Sequence, residues 1–134
     1  MALYWNDKIK IKNKIKVADQ TEIIEEIHPC EVTEKGDYLY LIHHNSEKEK
    51  VVIKLNQEEL IMTRFSQPKS IMRFSAKVPA LVHIPTPLGN QHFQTVTSLF
   101  AYDPDGQTVD IHYQLQHPET EDIFADYELE VSWF

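Results

Sequence analysis

Two arginines, Arg64 and Arg73, are the residues whose type and spacing best fit a binding site. They flank Pro68, and a hairpin centred near that proline would place them on adjacent strands. Two guanidinium groups converging in one concave site would bind a carboxylate or another anion, because their planar forks of donors match such groups. The alternative is that they are separate surface cations in an acidic chain. We take both as candidate ligand-binding residues.

Two threonines, Thr95 and Thr97, are the other candidates for ligand contact. In a strand they would share one face with Phe93 and Leu99. Hydroxyl groups among apolar neighbours are typical of the sparse polar contacts in a ligand pocket. The alternative is that threonine stands there for its β-branched shape, which suits a strand.

The spacing of the histidines and the cysteine does not indicate a metal site or a catalytic site. His28 and Cys30 would share a strand face, but they supply two ligands where a structural zinc site needs four. His43 and His44 are adjacent and would point to opposite faces. The chain has no nucleophile elbow, phosphate-binding glycine loop or metal-ligand signature. We therefore predict no metal, no cofactor and no catalytic residue, and leave catalysis open as the least favoured function.

Chain length, net charge and cysteine count limit the classes to which the protein can belong. The 134 residues suffice for one domain with its own core, which we assign to residues 1–134. A net charge of −8 disfavours nucleic acid as a partner. The single cysteine excludes an internal disulfide. No signal peptide and no apolar run of membrane-spanning length is apparent, so we predict a cytoplasmic protein with no membrane contact.

The alternation of polar and apolar residues with a period of two indicates the fold class. Between residues 8 and 17 the lysines alternate with aliphatic residues, and between 125 and 133 acidic residues alternate with apolar ones. Side chains on a strand point to opposite faces in turn, so these segments are predicted half-buried strands in an all-β antiparallel barrel or sandwich. The predicted strands are 8–17, 21–28, 37–44, 50–56, 59–66, 69–78, 80–84, 91–101, 107–116 and 123–133.

Two local predictions bear on how the sheet is built. The lysine-rich strand 8–17 matches the acidic strand 123–133 in charge, so we predict that these two strands pair and close a barrel. The alternative is that the lysines protect an exposed edge. Asn56, followed by Glu59 three residues on, has the spacing of a helix cap, but a hairpin turn is the favoured reading.

The turn at residues 86–89, threonine-proline-leucine-glycine, is followed by alternating residues that end in Thr95 and Thr97. This pattern resembles the YwiB-like, calycin-like family of Gram-positive bacteria, whose function is unknown. The resemblance covers most of the chain, including the spacing from Arg64 to Arg73 and the strands 107–116 and 123–133. It implies a single lipocalin-like, calycin-like β-barrel of about eight to ten strands with short turns and no established activity.

Three functions remain open. The leading hypothesis is non-catalytic binding of a small molecule, an anionic one if the arginines take part, in or at the mouth of the barrel. The second is a protein-interaction module or homodimer, because residues 38–42 are apolar on both faces and a partner or a second copy could cover one of them. The alternative is that residues 3–5 of the same chain cover that face. The third is an uncharacterised enzyme.

Overall fold

The structure, a computed structural model, describes Leu3–Tyr4 as backbone and residues 7–134 in full. Within these residues the chain forms eleven strands and no helix, and hence no helix that could cross a bilayer. The strands are β1 (Leu3–Tyr4), β2 (Lys8–Val17), β3 (Gln20–Lys35), β4 (Tyr38–His44), β5 (Lys50–Leu55), β6 (Glu59–Arg64), β7 (Ser70–Ser75), β8 (Ala80–Thr86), β9 (Gly89–Asp103), β10 (Thr108–Gln116) and β11 (Ile123–Trp133).

Ten of these strands, β2 to β11, form a closed antiparallel barrel. Each strand pairs with the next along the chain, and β11 returns to pair with β2. The short β1 continues the line of β2 by pairing with β3 at residues 32–33. Closure pairs most of the backbone groups that the outer strands of an open sheet would expose, but residues 20–29 of β3 pair with β2 alone. The predicted all-β antiparallel barrel is confirmed.

The closing seam has the predicted charge pattern. Lysines on the outer face of β2 stand opposite acidic residues of β11, in the pairs Lys12–Glu130, Lys14–Glu128 and Lys16–Asp126. The Lys14 Nζ lies 3.5 Å from a carboxylate oxygen of Glu128. On the inner face, Ile9 stands opposite Trp133, and both are buried. Opposite charges outside and apolar pairs inside thus favour the same register.

Strands on all sides of the barrel contribute apolar side chains to its core. Along β10, buried and half-buried residues alternate strictly, as expected for a strand with one face inside. Burying each large aliphatic side chain contributes about 1.5–3 kcal/mol to folding. The fully buried side chains include Ile9, Leu41, Ile53, Leu55, Leu60, Phe74, Ile111 and Val131.

β3 is longer than predicted, because it passes through Pro29 rather than ending at residue 28. The Cys30 N–H donates to the Asp7 carbonyl at 2.7 Å, on the side of β2. Successive N–H groups along a strand point to opposite edges, so the nitrogen of Pro29 faces the other edge, where no hydrogen bond is lost. β3 pairs with β2 over residues 20–29, and pairs with β4 only from Cys30 onwards.

The segment with a helix-cap spacing is a hairpin turn. The Asn56 side-chain oxygen accepts the N–H groups of Glu58 at 2.9 Å and Glu59 at 3.0 Å, and the chain then enters β6. The favoured reading of this segment is therefore confirmed. The expectation that residues 3–5 cover residues 38–42 concerns side chains outside the described part of the chain.

Candidate functional site

A cavity of about 290 Å³ lies inside the barrel at the end where β3 extends beyond β4. Its wall is mostly apolar and includes Ile11, Val51, Met62, Met72, Phe74 and Leu129. Its polar residues are Asn13, Glu26, His43, Asn45 and Arg64. An apolar wall with a few placed polar groups is the usual composition of a small-molecule site.

Aromatic packing makes one side of the cavity rigid. The Phe74 ring lies 4.4 Å from that of Tyr113, measured between centroids. Tyr113 in turn stacks on Tyr127 at 4.7 Å with the two ring planes 1° apart. Phe74 and Tyr113 are almost fully buried, so the shape of this wall is set by core packing.

His43 is the most deeply buried polar residue of the cavity, with 3 % of its surface exposed. Its ring stacks on that of His28 at 5.4 Å. Burial, followed by the neighbouring His28, lowers the pKa of His43 to about 4, so the ring is neutral at pH 7. Its Nδ1 has no hydrogen-bond partner within residues 7–134. A bound molecule could pair with this nitrogen, because a neutral imidazole offers one donor and one acceptor.

Asn13 places a second unpartnered polar atom in the wall. It occupies an inward position of β2, between Ile11 and Ile15, and pairs with Leu129 of β11. Its side-chain oxygen is buried and accepts no hydrogen bond from the described residues. Leaving a buried acceptor unpaired costs about 1–3 kcal/mol. A ligand that donates to this oxygen would recover part of that cost.

Arg64 supplies positive charge to the cavity. It follows Met62 on the inner face of β6, and half of its side-chain surface is exposed. Its Nε lies 3.8 Å from a carboxylate oxygen of Glu49, which is an ion pair but too long for a hydrogen bond. Glu49 is itself held by Asn45, whose amide donates to the same oxygen at 3.1 Å.

Arg73 lies on the outer face of the barrel, so the two candidate arginines do not converge, and the alternative of separate cations holds for this pair. The register of the β6–β7 hairpin pairs Arg64 with Ser70 and Arg73 with Ile61, which turns the two guanidinium groups to opposite faces. Arg73 instead binds Glu59, with both Nε and Nη2 at 2.9 Å from one carboxylate oxygen. It takes no part in the wall of the cavity.

Thr95 and Thr97 both point into the barrel, but neither lines this cavity. A bulge at Ser98 adds one residue to β9, so that Thr97 pairs with Tyr113 while Leu99 pairs with His112. Leu99 is consequently 41 % exposed on the outer face. The prediction that it shares a face with the threonines is wrong, since sequence alternation alone does not reveal the bulge.

The Thr95 hydroxyl has a structural role at the weakest seam of the barrel. β7 and β8 share a single register pair, Ile71 with His83. From β9, the Thr95 Oγ1 donates to the Arg73 carbonyl of β7 at 2.6 Å. The threonine therefore satisfies a backbone acceptor where the ladder between β7 and β8 is short.

Replacing each threonine by valine is expected to separate their roles. Thr95→Val should destabilise the protein by about 1–2 kcal/mol, because the Arg73 carbonyl loses its donor. Thr97→Val should be neutral or slightly stabilising, because the Thr97 hydroxyl is buried without a partner in the described residues. Urea unfolding monitored by fluorescence measures both. Equal losses of stability in the two variants would contradict this assignment.

The fold and family of the chain are clear from comparison with known proteins. The sequence profile of a domain of unknown function, DUF1934, matches residues 9–131. The chain belongs to the DUF1934 family. Its fold is similar to that of the crystal structure of ywiB protein from Bacillus subtilis, with a TM-score of 0.76 and 17 % sequence identity over 95 % of this chain and 89 % of that chain. No curated protein matches its sequence.

The comparison confirms the YwiB-like resemblance and a calycin-like barrel for this DUF1934 chain. At 17 % identity the likeness to ywiB shows the fold alone. The family description names no activity, which agrees with the predicted status of unknown function. The function of this chain therefore depends on its own side chains and not on the fold alone.

The reactive side chains of this DUF1934 barrel do not form a metal site among the residues described. No three histidine, cysteine or acidic side chains there are close enough to hold one ion. Burial raises the pKa of the Cys30 thiol to about 11, so it remains protonated and unreactive at neutral pH. His43 faces inward and His44 outward, as their adjacent positions on β4 require.

Sequence reasoning missed Asn13 and His43, although each leaves a signal. Asn13 interrupts the row of inward isoleucines in β2, and His43 extends the inward row of Leu39 and Leu41 in β4. A polar residue at an inward position of a strand is unusual and marks either a satisfied core group or a site. The missing information was that both positions converge at one end of the barrel.

Proposed function

We propose that this protein binds a small amphipathic molecule with an anionic end in the cavity at the end of the barrel where β3 extends beyond β4, and that it does so without catalysis. The observation that carries the proposal is the unpartnered Nδ1 of His43, a histidine with 3 % of its surface exposed in an otherwise mainly apolar wall. A second buried orphan atom, the Asn13 side-chain oxygen, supports the same conclusion. Buried polar atoms without partners are rare, and a binding site is one of their explanations.

The volume of the cavity limits the size of the ligand. A volume of about 290 Å³ lies at the small end of ligand pockets, which span roughly 300–1,000 Å³, so the ligand should be a compact molecule with few non-hydrogen atoms. The wall offers more apolar than polar contact, so most of these atoms should be carbon. A short fatty acid or an arylalkanoic acid has this size and polarity.

Arg64 favours a ligand with an anionic end. Its contact with Glu49 is a 3.8 Å ion pair, and its guanidinium makes no hydrogen bond to any residue in the described part of the chain. The carboxylate of Glu49 is already engaged by Asn45. A ligand carboxylate could therefore take two guanidinium donors at once, an arrangement that gives both strength and orientation. Glu26 opposes anions at the other side of the wall, where it contacts His28 at 3.4 Å.

Binding of octanoate and of octan-1-ol, measured by isothermal titration calorimetry, tests the proposal. The two probes share an eight-carbon chain and differ in the charged end. We expect octanoate to bind more tightly than octanol, and Arg64→Gln to weaken octanoate binding about tenfold while leaving octanol unchanged. Arg73→Gln is the matched control, because that arginine lies on the outer face, and it should change neither affinity.

Two results would overturn this function. One is that neither probe binds at millimolar concentration and that native mass spectrometry of protein from its own host finds no small adduct. The other is that Arg64→Gln and Arg73→Gln weaken octanoate binding equally, which would place the site outside the cavity.

We further propose that the protein acts in the cytoplasm. The support is its single cysteine, Cys30, a buried and free thiol that serves no disulfide. Proteins of oxidising compartments more often carry paired cysteines. Fractionation of host cells with an antibody against the protein tests this, and recovery in the secreted fraction would contradict it.

A further inference from the structure

The long strand β3 has two neighbours over only part of its length. From Cys30 to Lys35 it lies between β4 on one side and the line of β2 and β1 on the other. From residue 20 to 29 it pairs with β2 alone. Along residues 20–29, no strand of the described chain pairs with the second edge, which we call the open edge of β3.

The backbone N–H and C=O groups of the open edge pair with no strand of the described chain. The N–H of Cys30 points towards β2. Because N–H groups alternate between the two edges of a strand, the odd-numbered residues before Cys30 direct their N–H groups to the open edge. The residues that direct N–H and C=O groups to the open edge are Thr21, Ile23, Glu25 and Ile27. Pro29 ends this series, because it has no N–H to offer. Such a row of free donors and acceptors is a template for another strand.

The side chains along the open edge are apolar and acidic. Ile23, Ile24 and Ile27 are 57 %, 43 % and 53 % exposed, which is unusual for three isoleucines within five residues. The same segment holds three glutamates, Glu22, Glu25 and Glu26, and no lysine or arginine.

The strand that β3 does bind on its other edge is basic and apolar. β2 has the sequence KIKIKNKIKV, and Lys10 Nζ lies 3.4 Å from a carboxylate oxygen of Glu25. β3 therefore pairs on one edge with a strand in which lysine and isoleucine alternate. Its open edge presents the same acidic and apolar character to a second strand.

We propose that the open edge of β3 binds an extended segment of a partner protein, in which basic and apolar residues alternate, as an added strand. Main-chain hydrogen bonds would supply affinity, and the glutamates would select the charge of the segment. A second copy of this chain fits less well, since it would bring the same three glutamates to the shared edge and add a second net charge of −8.

The added strand would lie where β4 would continue if it extended past His44. Ile24 and Glu26, which line the cavity from β3, belong to the same edge segment. The partner segment would therefore border the mouth of the cavity. This inference does not depend on whether the cavity binds a ligand.

A fluorescein-labelled peptide with the sequence of residues 8–17, KIKIKNKIKV, is the probe, and EIEIENEIEV is its charge-reversed control. Fluorescence anisotropy measures affinity, and amide hydrogen exchange measured by NMR locates the bound strand. We expect only the basic peptide to bind, and to slow exchange at Thr21, Ile23, Glu25 and Ile27 by about tenfold or more.

Two variants separate backbone pairing from charge. Ile23→Pro removes an N–H that faces the open edge and leaves the β2 ladder intact, so it should weaken binding at least tenfold. The double variant Glu22→Lys/Glu25→Lys should weaken it to a similar extent. Its matched control, Asp105→Lys/Glu119→Lys, makes the same change in net charge in exposed turns and should bind like the original protein.

Four outcomes would overturn the inference. Binding that slows exchange elsewhere, or that exposes β2 amides, would mean a different site or displacement of β2. Equal weakening by both charge variants would mean non-specific attraction. Protection of the four edge amides in the protein alone, with a dimer by light scattering, would mean that a second copy occupies the edge. If neither peptide bound, the glutamates would serve only to prevent this edge from pairing with other chains.

Discussion

Phe74→Ala is expected to destabilise the barrel by about 3–5 kcal/mol, the largest effect of any substitution considered for this chain. Phe74 is 2 % exposed and forms both part of the core and one wall of the cavity. Removal of its ring forfeits the burial of the side chain and the contact with Tyr113. Urea unfolding, monitored by circular dichroism, measures the change in the free energy of unfolding.

Phe65→Ala is the matched control for the Phe74 variant. Phe65 is 49 % exposed, and its ring contacts the amines of Lys50 and Lys69 at 5.9 Å and 5.6 Å. Exposed contacts of this kind contribute about 1 kcal/mol or less. If the two alanine variants lost similar free energy of unfolding, Phe74 would not have the central packing role assigned to it.

The second large effect concerns pH. The pKa of His43 falls from an ordinary 6.5 to about 4 in the folded protein, because the ring is buried. As the pH drops below 6.5, the unfolded chain takes up a proton at this residue and the folded protein does not. The folded state therefore loses stability from this group between pH 6.5 and pH 4, by about 3 kcal/mol in total. Above pH 6.5 the contribution is fully present.

His43→Gln should remove this part of the pH dependence. Between pH 7 and pH 4 the free energy of unfolding of the original protein should fall by about 3 kcal/mol more than that of the variant. His44→Gln is the control, since His44 is exposed on the opposite face of β4, and it should behave like the original protein. Parallel pH profiles for His43→Gln and the original protein would contradict the burial argument. Chemical unfolding at each pH provides the data.

Much of the fold could be predicted because the outer and inner faces of the strands differ so sharply in chemistry. The lysine row of β2 and the acidic row of β11 allowed both the strands and their pairing to be predicted. A half-buried strand whose polar residues also match its neighbour in charge excludes a one-residue slip on two independent grounds, the burial of one face and the charge of the other. The closing seam of the barrel was predictable for this reason.

The site was less predictable, because it depends on register and on local irregularities. The spacing from Arg64 to Arg73 does not reveal which residues of the hairpin pair, and a shift of one residue would reverse the face of either arginine. The bulge at Ser98 leaves no sequence signature, yet it changes the face of Leu99. The predicted strand 21–28 stops short of Pro29, whereas β3 continues through it, because the nitrogen of Pro29 lies on an edge that needs no donor.

The seam between β2 and β11 has a further consequence for how the protein is made. It joins the first and last strands of the barrel, so during translation the edge of β2 that faces β11 stays unpaired until almost the whole barrel has been synthesised, while β3 can pair with the other edge early. In that interval the strand is exposed to other nascent copies. Its alternating lysines repel a second β2, which disfavours pairing between chains. We therefore expect the lysines that pair with the acidic face of β11 in the finished barrel also to disfavour aggregation of the incomplete chain.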